Sequence, residues 1–119
     1  MSIHVDVWLR GSDVATTQTI EDVTSPPSLW VDEDVRQLLE GMLRAMHRVK
    51  HPSETATPVT LRGLSWIVNP YDEGGVVIAI EIGLGAAVAG PFDVDKAVLD
   101  AMIARVLRHP APPVSATIH

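Results

Sequence analysis

The apolar residues of this 119-residue chain repeat with two different periods, and the change of period limits the folds that the chain can adopt. At residues 3–10, apolar and polar side chains alternate, as is typical of a strand with one buried face. At residues 33–49, apolar side chains recur every three or four positions, which predicts a helix with one apolar side. Because each apolar side needs a partner to cover it, we expect a helix packed on a sheet.

Weaker patterns predict the other elements. Residues 14–20 are rich in threonine and predict a second strand, since β-branched side chains favour strands. Residues 58–68 predict a third strand, with a bulge at Gly63, where the apolar alternation shifts by one position. Residues 76–84 are almost entirely apolar and predict a central fourth strand, and residues 94–108 predict a second amphipathic helix.

The acidic residues that begin both predicted helices have a structural explanation. Asp32 is expected to cap the first helix and Asp93 the second, because a carboxylate can accept hydrogen bonds from the free N–H groups of a first turn. Basic residues end the first helix, where they suit its negative pole. These charges therefore need no functional role.

The predicted fold class is α+β, with a mostly antiparallel sheet of four to five strands and both helices on one face. The length fits one domain, which we place at residues 1–110. Residues 111–119 form a proline-rich tail, in which alternating apolar residues would allow a short closing strand.

Two pairs of similar segments raise the hypothesis of an internal duplication. Residues 7–11 resemble residues 59–63, and residues 38–43 resemble residues 98–103. A repeated strand-strand-helix unit, ββα followed by ββα, would produce this pattern. The alternative is that amphipathic helices rich in leucine and methionine resemble one another through composition alone.

Composition excludes several classes of function. A net charge of −6 opposes nucleic-acid binding, which needs clustered cations. The chain has no cysteine, which rules out disulfides and thiolate chemistry and fits a cytoplasmic location. No apolar run reaches the roughly 20 residues that span a bilayer, so we expect no membrane partner. Acidic residues are concentrated at residues 11–35 and basic residues at 44–62, which predicts a molecule with one acidic and one basic region.

Motifs for chemistry are weak. Gly83-Leu84-Gly85 resembles part of a dinucleotide-binding loop, but the third glycine is missing and no helix follows directly. His47 and His51 have the spacing of two metal ligands on a helix, yet Pro52 ends that helix and no acidic third ligand has a matching spacing. We therefore predict no metal and no cofactor.

Glu81 is the sharpest candidate for catalysis. It is the single charged residue in an apolar strand, where burial would raise the pKa of its carboxyl. The alternative is that its face of the sheet is open to water. We assign no catalytic residue and expect a binding protein rather than an enzyme. A small enzyme or ligand-binding domain that uses Glu81 and nearby histidines remains an alternative.

A protein-binding surface is the preferred hypothesis. If both helices cover one side of the sheet, the other side presents a mixed surface that includes His4, Thr60, Val77 and Ala79. Aromatic and arginine side chains contribute strongly to protein interfaces, and acidic residues attract a basic partner. We expect a homodimer or a protein partner there. The predicted partner-binding residues are Trp8, Arg10, Asp13, Glu21, Asp22, Arg62 and Glu81.

The last quarter of the chain, from Phe92-Asp93-Val94-Asp95-Lys96-Ala97 to His109-Pro110, resembles small bacterial immunity proteins in the order of its elements. This resemblance implies an acidic inhibitor that binds a basic toxin through residues 13–34. The preferred function is accordingly a small cytoplasmic protein-binding, accessory or inhibitor protein. The alternative is a structural domain that associates with itself.

Overall fold

Five strands and two helices make up the part of the chain that the computed structural model describes, residues 2–53 and 59–108. They confirm the predicted α+β class. In chain order, the elements are β1 (Ile3–Leu9), β2 (Thr16–Ile20), α1 (Asp32–Lys50), β3 (Ser65–Pro70), β4 (Val76–Ile82), β5 (Gly85–Phe92) and α2 (Lys96–Arg108), with a 3-10 turn at Pro27–Leu29 before α1.

The strands form one sheet in the order β2-β1-β5-β4-β3, and every pair of neighbours is antiparallel. The central strand is β5, whereas the sequence pattern predicts the central place for the strand at residues 76–84 and no strand at residues 85–92. Glycine and alanine have low strand propensity, so the local pattern did not indicate a strand there. β5 is held from both sides, because Ala87 pairs with Val7 of β1 and with Ile80 of β4.

Both helices lie on one face of the sheet. α1 packs across β1, β2 and β5, while α2 packs beside α1 and over β3. The alternating residues that face the helices are buried, including Val5 and Val7 of β1 and Ile78 and Ile80 of β4. Small side chains on the central strand leave room for α1 to approach, so the core is continuous from the sheet to the helices.

The helix starts differ from the predicted caps. α1 begins at Asp32 itself, and the carboxylate of Asp34 accepts a hydrogen bond of 2.9 Å from the N–H of Val31. α2 begins at Lys96, two residues later than predicted. Its cap is Asp95, whose carboxylate accepts hydrogen bonds from the N–H groups of the second and third residues of the helix, at 3.1 and 3.3 Å. Asp93 precedes this cap and does not serve as one.

The third strand also begins later than predicted. β3 starts at Ser65, after Gly63, whose φ of +69° ends the preceding turn. Residues 59–63 lie outside strands, although residues 7–9, which they resemble, belong to β1. The second half of the described chain holds three strands, so it does not repeat the ββα unit. The predicted closing strand at residues 111–119 lies outside the described residues.

Candidate functional site

The side of the sheet opposite the helices, which we call the outer face, is the main open surface of the described chain. No helix or strand of residues 2–53 and 59–108 lies across it, and none of its side chains is buried. Its members follow from the strand alternation and register: His4, Asp6, Trp8, Thr17, Thr19, Ser65, Ile67, Asn69, Val77, Ala79, Glu81, Ala86 and Val88.

Side chains on the outer face fall into rows that run across the strands. The middle row pairs Asp6 with Val88, Val88 with Ala79, and Ala79 with Ile67. Ile67 is 52% exposed, although it lies on a strand. Val88 and Ala79 make the centre of this row apolar, Ile67 extends it to the edge strand β3, and the carboxylate of Asp6 lies on the other side of the centre. The carboxylate of Asp6 accepts a hydrogen bond of 2.8 Å from the hydroxyl of Thr17 on the neighbouring strand.

The next row contains the second carboxylate. Trp8 pairs with Ala86, Ala86 with Glu81, and Glu81 with Ser65. Part of this row and its neighbours line a shallow groove of about 270 Å³ between β3, β4 and β5, with the lining residues Ser65, Trp66, Ile67, Ala79, Ile80, Glu81 and Ala86. The side chain of Glu81 is exposed and has no hydrogen bond or ion pair to any described residue. A catalytic role for Glu81 required a buried carboxyl, and this carboxyl is exposed.

Arg10 fixes one end of the outer face. Its backbone N–H donates to the carbonyl of Leu84 at 2.9 Å, and its side-chain Nε donates to the carbonyl of Gly83 at 2.9 Å. These bonds tie the end of β1 to the turn between β4 and β5. Gly83-Leu84-Gly85 is therefore a hairpin turn that leads into a strand, not a phosphate-binding loop before a helix.

The predicted partner-binding residues occupy several places. Trp8 and Glu81 share a row of the outer face, and Asp13 lies in the β1–β2 turn near Arg10. Glu21 is at the opposite end of β2, where it accepts a hydrogen bond from Ser2. Arg62 lines a cleft with Leu107 and Arg108 at the end of α2, away from the outer face. Ser2 Oγ donates to Glu21 Oε2 at 3.2 Å, and Arg44 Nη1 lies 3.9 Å from Asp22 Oδ2.

The acidic region predicted from the sequence is partly neutralised by arginines of the two helices. Asp22 lies near Arg44 of α1, and Asp32 pairs with Arg105 of α2. The side chain of Arg48 donates to Gln18 of β2 at 3.0 Å.

The histidines do not form a common site. His47 and His51 have ring centroids 6.0 Å apart at the end of α1, and the N–H of His51 donates to the carbonyl of His47. His4 lies on the outer face instead. Within residues 2–53 and 59–108, no group of three or more His, Asp or Glu side chains could hold a metal ion.

Some members of the outer face were missed by sequence reasoning. Thr60 and Arg62 were expected to represent the third strand, but Ser65, Ile67 and Asn69 do so because β3 starts later. The β5 members were missed with their strand, although a single valine between alanines was a weak sign of alternation. His4, Trp8, Val77, Ala79 and Glu81 were predicted correctly as members of this face.

Comparisons with protein-family models, with curated proteins and with solved structures found no match. None of the helices in the described ranges has the length and apolar character needed to cross a membrane.

Proposed function

We propose that this chain is a protein-binding module that docks a basic protein partner on its outer face. The observation that carries the proposal is an uncovered sheet face with an apolar centre and two carboxylates, those of Asp6 and Glu81. An apolar centre supplies binding free energy when water is excluded, and charges around it select the partner.

The charge of the outer face favours a basic partner. Glu81 has no ion pair among the described residues, and Asp6 has only a neutral hydroxyl partner. The guanidinium of Arg10 is directed to a backbone carbonyl of the adjacent turn. The chain as a whole carries a net charge of −6, which would steer a basic partner towards it.

The size of the outer face indicates how far the contact must extend. Five strands about 4.8 Å apart and about six residues long span roughly 500 Å². A standard interface buries about 800 Å² on each partner. We infer that the partner also covers part of the rim, where Arg10 and Asp13 flank one end of β1 and β2 and Glu21 the other.

A second copy of the chain is a weaker candidate for the same face. In a two-fold dimer, each outer face would meet an identical face, so the carboxylates of both copies would be desolvated in one acidic interface. Like charges brought together in an interface oppose binding. The proposal therefore commits to a basic partner of a different sequence, in the cytoplasmic location expected from the composition.

The test uses two variants that each place one cation on an exposed apolar position. Ile67→Lys lies on the outer face at the β3 end of its apolar row, and Val98→Lys lies on α2, where Val98 is 51% exposed. Proteins captured by the wild-type chain from an extract of its own organism are eluted with salt and compared with those captured by each variant. We expect the wild type to capture a basic protein and to release it as the salt concentration rises. The Val98→Lys variant should capture the same protein, and the Ile67→Lys variant should not.

Two results would contradict the proposal. Equal capture by both variants would place the contact elsewhere on the molecule. A purified wild-type chain that is a dimer by light scattering, and that Ile67→Lys converts to a monomer, would assign the outer face to a second copy.

A further inference from the structure

The row that contains Trp8 and Glu81 has an open position between them. These two residues lie on β1 and β4, with Ala86 of β5 between them. Strands are about 4.8 Å apart, so the two Cα atoms are separated by roughly 10 Å. Ala86 contributes only a methyl group, and together with Glu81 it lines the groove of about 270 Å³, so the row is open on the side of Ala86 that faces Glu81.

The two sides of this open position differ in chemistry. On one side, the half-buried indole of Trp8 offers an aromatic surface. On the other side, the carboxylate of Glu81 lines the groove of about 270 Å³ with apolar neighbours that include Ile67 and Ala79.

We propose that this position binds an arginine side chain of the protein partner, between Trp8 and Glu81. A guanidinium is planar and can form two parallel hydrogen bonds with a carboxylate. The same group stacks on an aromatic ring, and tryptophan is the best aromatic partner for a cation. The inference depends on the proposed function, because it names the anchoring residue of the same basic partner.

Arginine is favoured over lysine because the indole of Trp8 and the carboxylate of Glu81 lie in one row. An ammonium group is a compact, strongly hydrated charge that neither stacks on a ring nor forms a planar pair with Glu81. The alkyl part of an arginine side chain would cover Ala86 and Ala79, which have no bulky side chains to block it. We therefore expect a measurable preference among isolated side-chain analogues.

The test is a titration of the full-length, ¹⁵N-labelled chain with small probes, monitored by NMR. The probes are N-acetyl-arginine methylamide, its lysine analogue, and its citrulline analogue, which is neutral but similar in shape. We expect the arginine probe to shift the indole N–H of Trp8 and the amides of Glu81 and Ala86. The indole N–H of Trp30 is an internal reference, because it donates to the carbonyl of Ser25 at 2.9 Å inside the domain.

Variants assign the probe to the site. Glu81→Gln removes the charge at an exposed position and should weaken arginine binding about tenfold, as expected for the loss of a charge-assisted hydrogen bond. Trp8→Phe should weaken it about threefold, because a smaller ring stacks less well. Glu73→Gln removes one charge from the exposed β3–β4 turn, away from the groove, and should leave binding unchanged.

The inference is overturned if the citrulline or lysine probe binds as well as the arginine probe, or if Glu81→Gln binds arginine unchanged. It is also overturned if Glu81→Gln lowers the solubility of the chain without weakening arginine binding. Glu81 would then serve to protect the open sheet from aggregation. These outcomes differ from failure of the proposed function. If Ile67→Lys abolishes capture of the basic partner but no probe binds, the proposed function stands and only the arginine site is refuted.

Discussion

Arg105 and Asp32 join the two helices by a pair of hydrogen bonds, from Nε to Oδ2 at 2.8 Å and from Nη2 to Oδ1 at 2.9 Å. The pair connects the last turn of α2 to the first residue of α1. The hydrogen bonds from Arg105 are the main cause of a lowered pKa for the Asp32 carboxyl, and burial acts in the opposite direction. Both side chains are about half exposed, so the pair contributes modestly to stability.

The lowered pKa of Asp32 predicts how this contribution depends on pH. Because the pKa of Asp32 is lower in the folded state, the ion pair stabilises the protein fully at pH values above the unfolded-state pKa of 3.8. This stabilisation is lost as the pH falls through the folded-state pKa. Asp32→Asn should therefore lower the Tm by a few degrees at most at neutral pH, and the difference should disappear in acid. Thermal unfolding followed by circular dichroism across this pH range measures it. A difference that persists below the folded-state pKa, or that remains in an Arg105→Gln background, would contradict the assignment.

Gly85 of β5 lies against the backbone of β1, opposite Leu9. A Cβ atom at this position would overlap the carbonyl oxygen of Trp8 and approach the Cα of Leu9 to 2.9 Å. Both are backbone atoms of a paired strand and cannot move freely. Gly85→Ala should therefore reduce the free energy of unfolding by about 3 kcal/mol.

Gly83, two residues earlier in the same hairpin, is the matched control for Gly85. It has open space around its Cα and does not adopt a left-handed backbone conformation. Gly83→Ala should change the free energy of unfolding by less than about 0.5 kcal/mol. Urea denaturation compares the two variants, and equal effects would refute the close approach of β1 and β5.

Trp30 closes the core beside the end of β5. Its ring contacts Phe92 edge-on with a centroid distance of 4.9 Å, and its indole N–H donates to the carbonyl of Ser25 at 2.9 Å. Trp30→Phe should cost about 2 kcal/mol, because the carbonyl of Ser25 loses its partner and the smaller ring leaves space. Leu29→Ala, at the adjacent and 68% exposed position, should change stability by less than about 0.5 kcal/mol in the same urea experiment.

Asp95 and Asp93 offer a direct test of the cap of α2. Asp95→Ala removes the acceptor of two hydrogen bonds from the first turn and should destabilise the domain by about 1 kcal/mol. Asp93→Ala should have a smaller effect, since Asp93 is exposed and makes no side-chain hydrogen bond within the described residues. If Asp93→Ala costs more in thermal unfolding, the helix starts where the sequence pattern predicted.

Bulky alternating residues made most of the fold predictable. Ile78 and Ile80 indicated a strand with one heavily buried face, and the structure buries both. β5 could not be recognised in this way, because its inward residues Ala87 and Ala89 lack bulk. Their burial depends on neighbours far away in sequence, in β1 and α1. The cap of α2 was uncertain for a different reason, since two aspartates two positions apart satisfy the same local pattern.

The candidate site was predictable to the same extent. Trp8 and Glu81 could be placed on the open side, because each lies on a strand with clear alternation. Ile67 could not, because the register of β3 depends on where the turn after Gly63 ends. The acidic segment was predicted as one surface, but the β1–β2 hairpin separates Asp13 from Glu21 by the length of β2.

The central position of β5 also governs the order in which the domain can assemble. Hairpins β1–β2 and β3–β4 each consist of neighbouring segments, yet they share no strand pairing until residues 85–92 enter between them. The pairing of Val7 with Ala87 closes a loop of about 80 residues, a contact of long sequence separation that slows folding. A growing chain must therefore hold two incomplete sheets, each with an open edge, until its most weakly strand-forming segment has been synthesised.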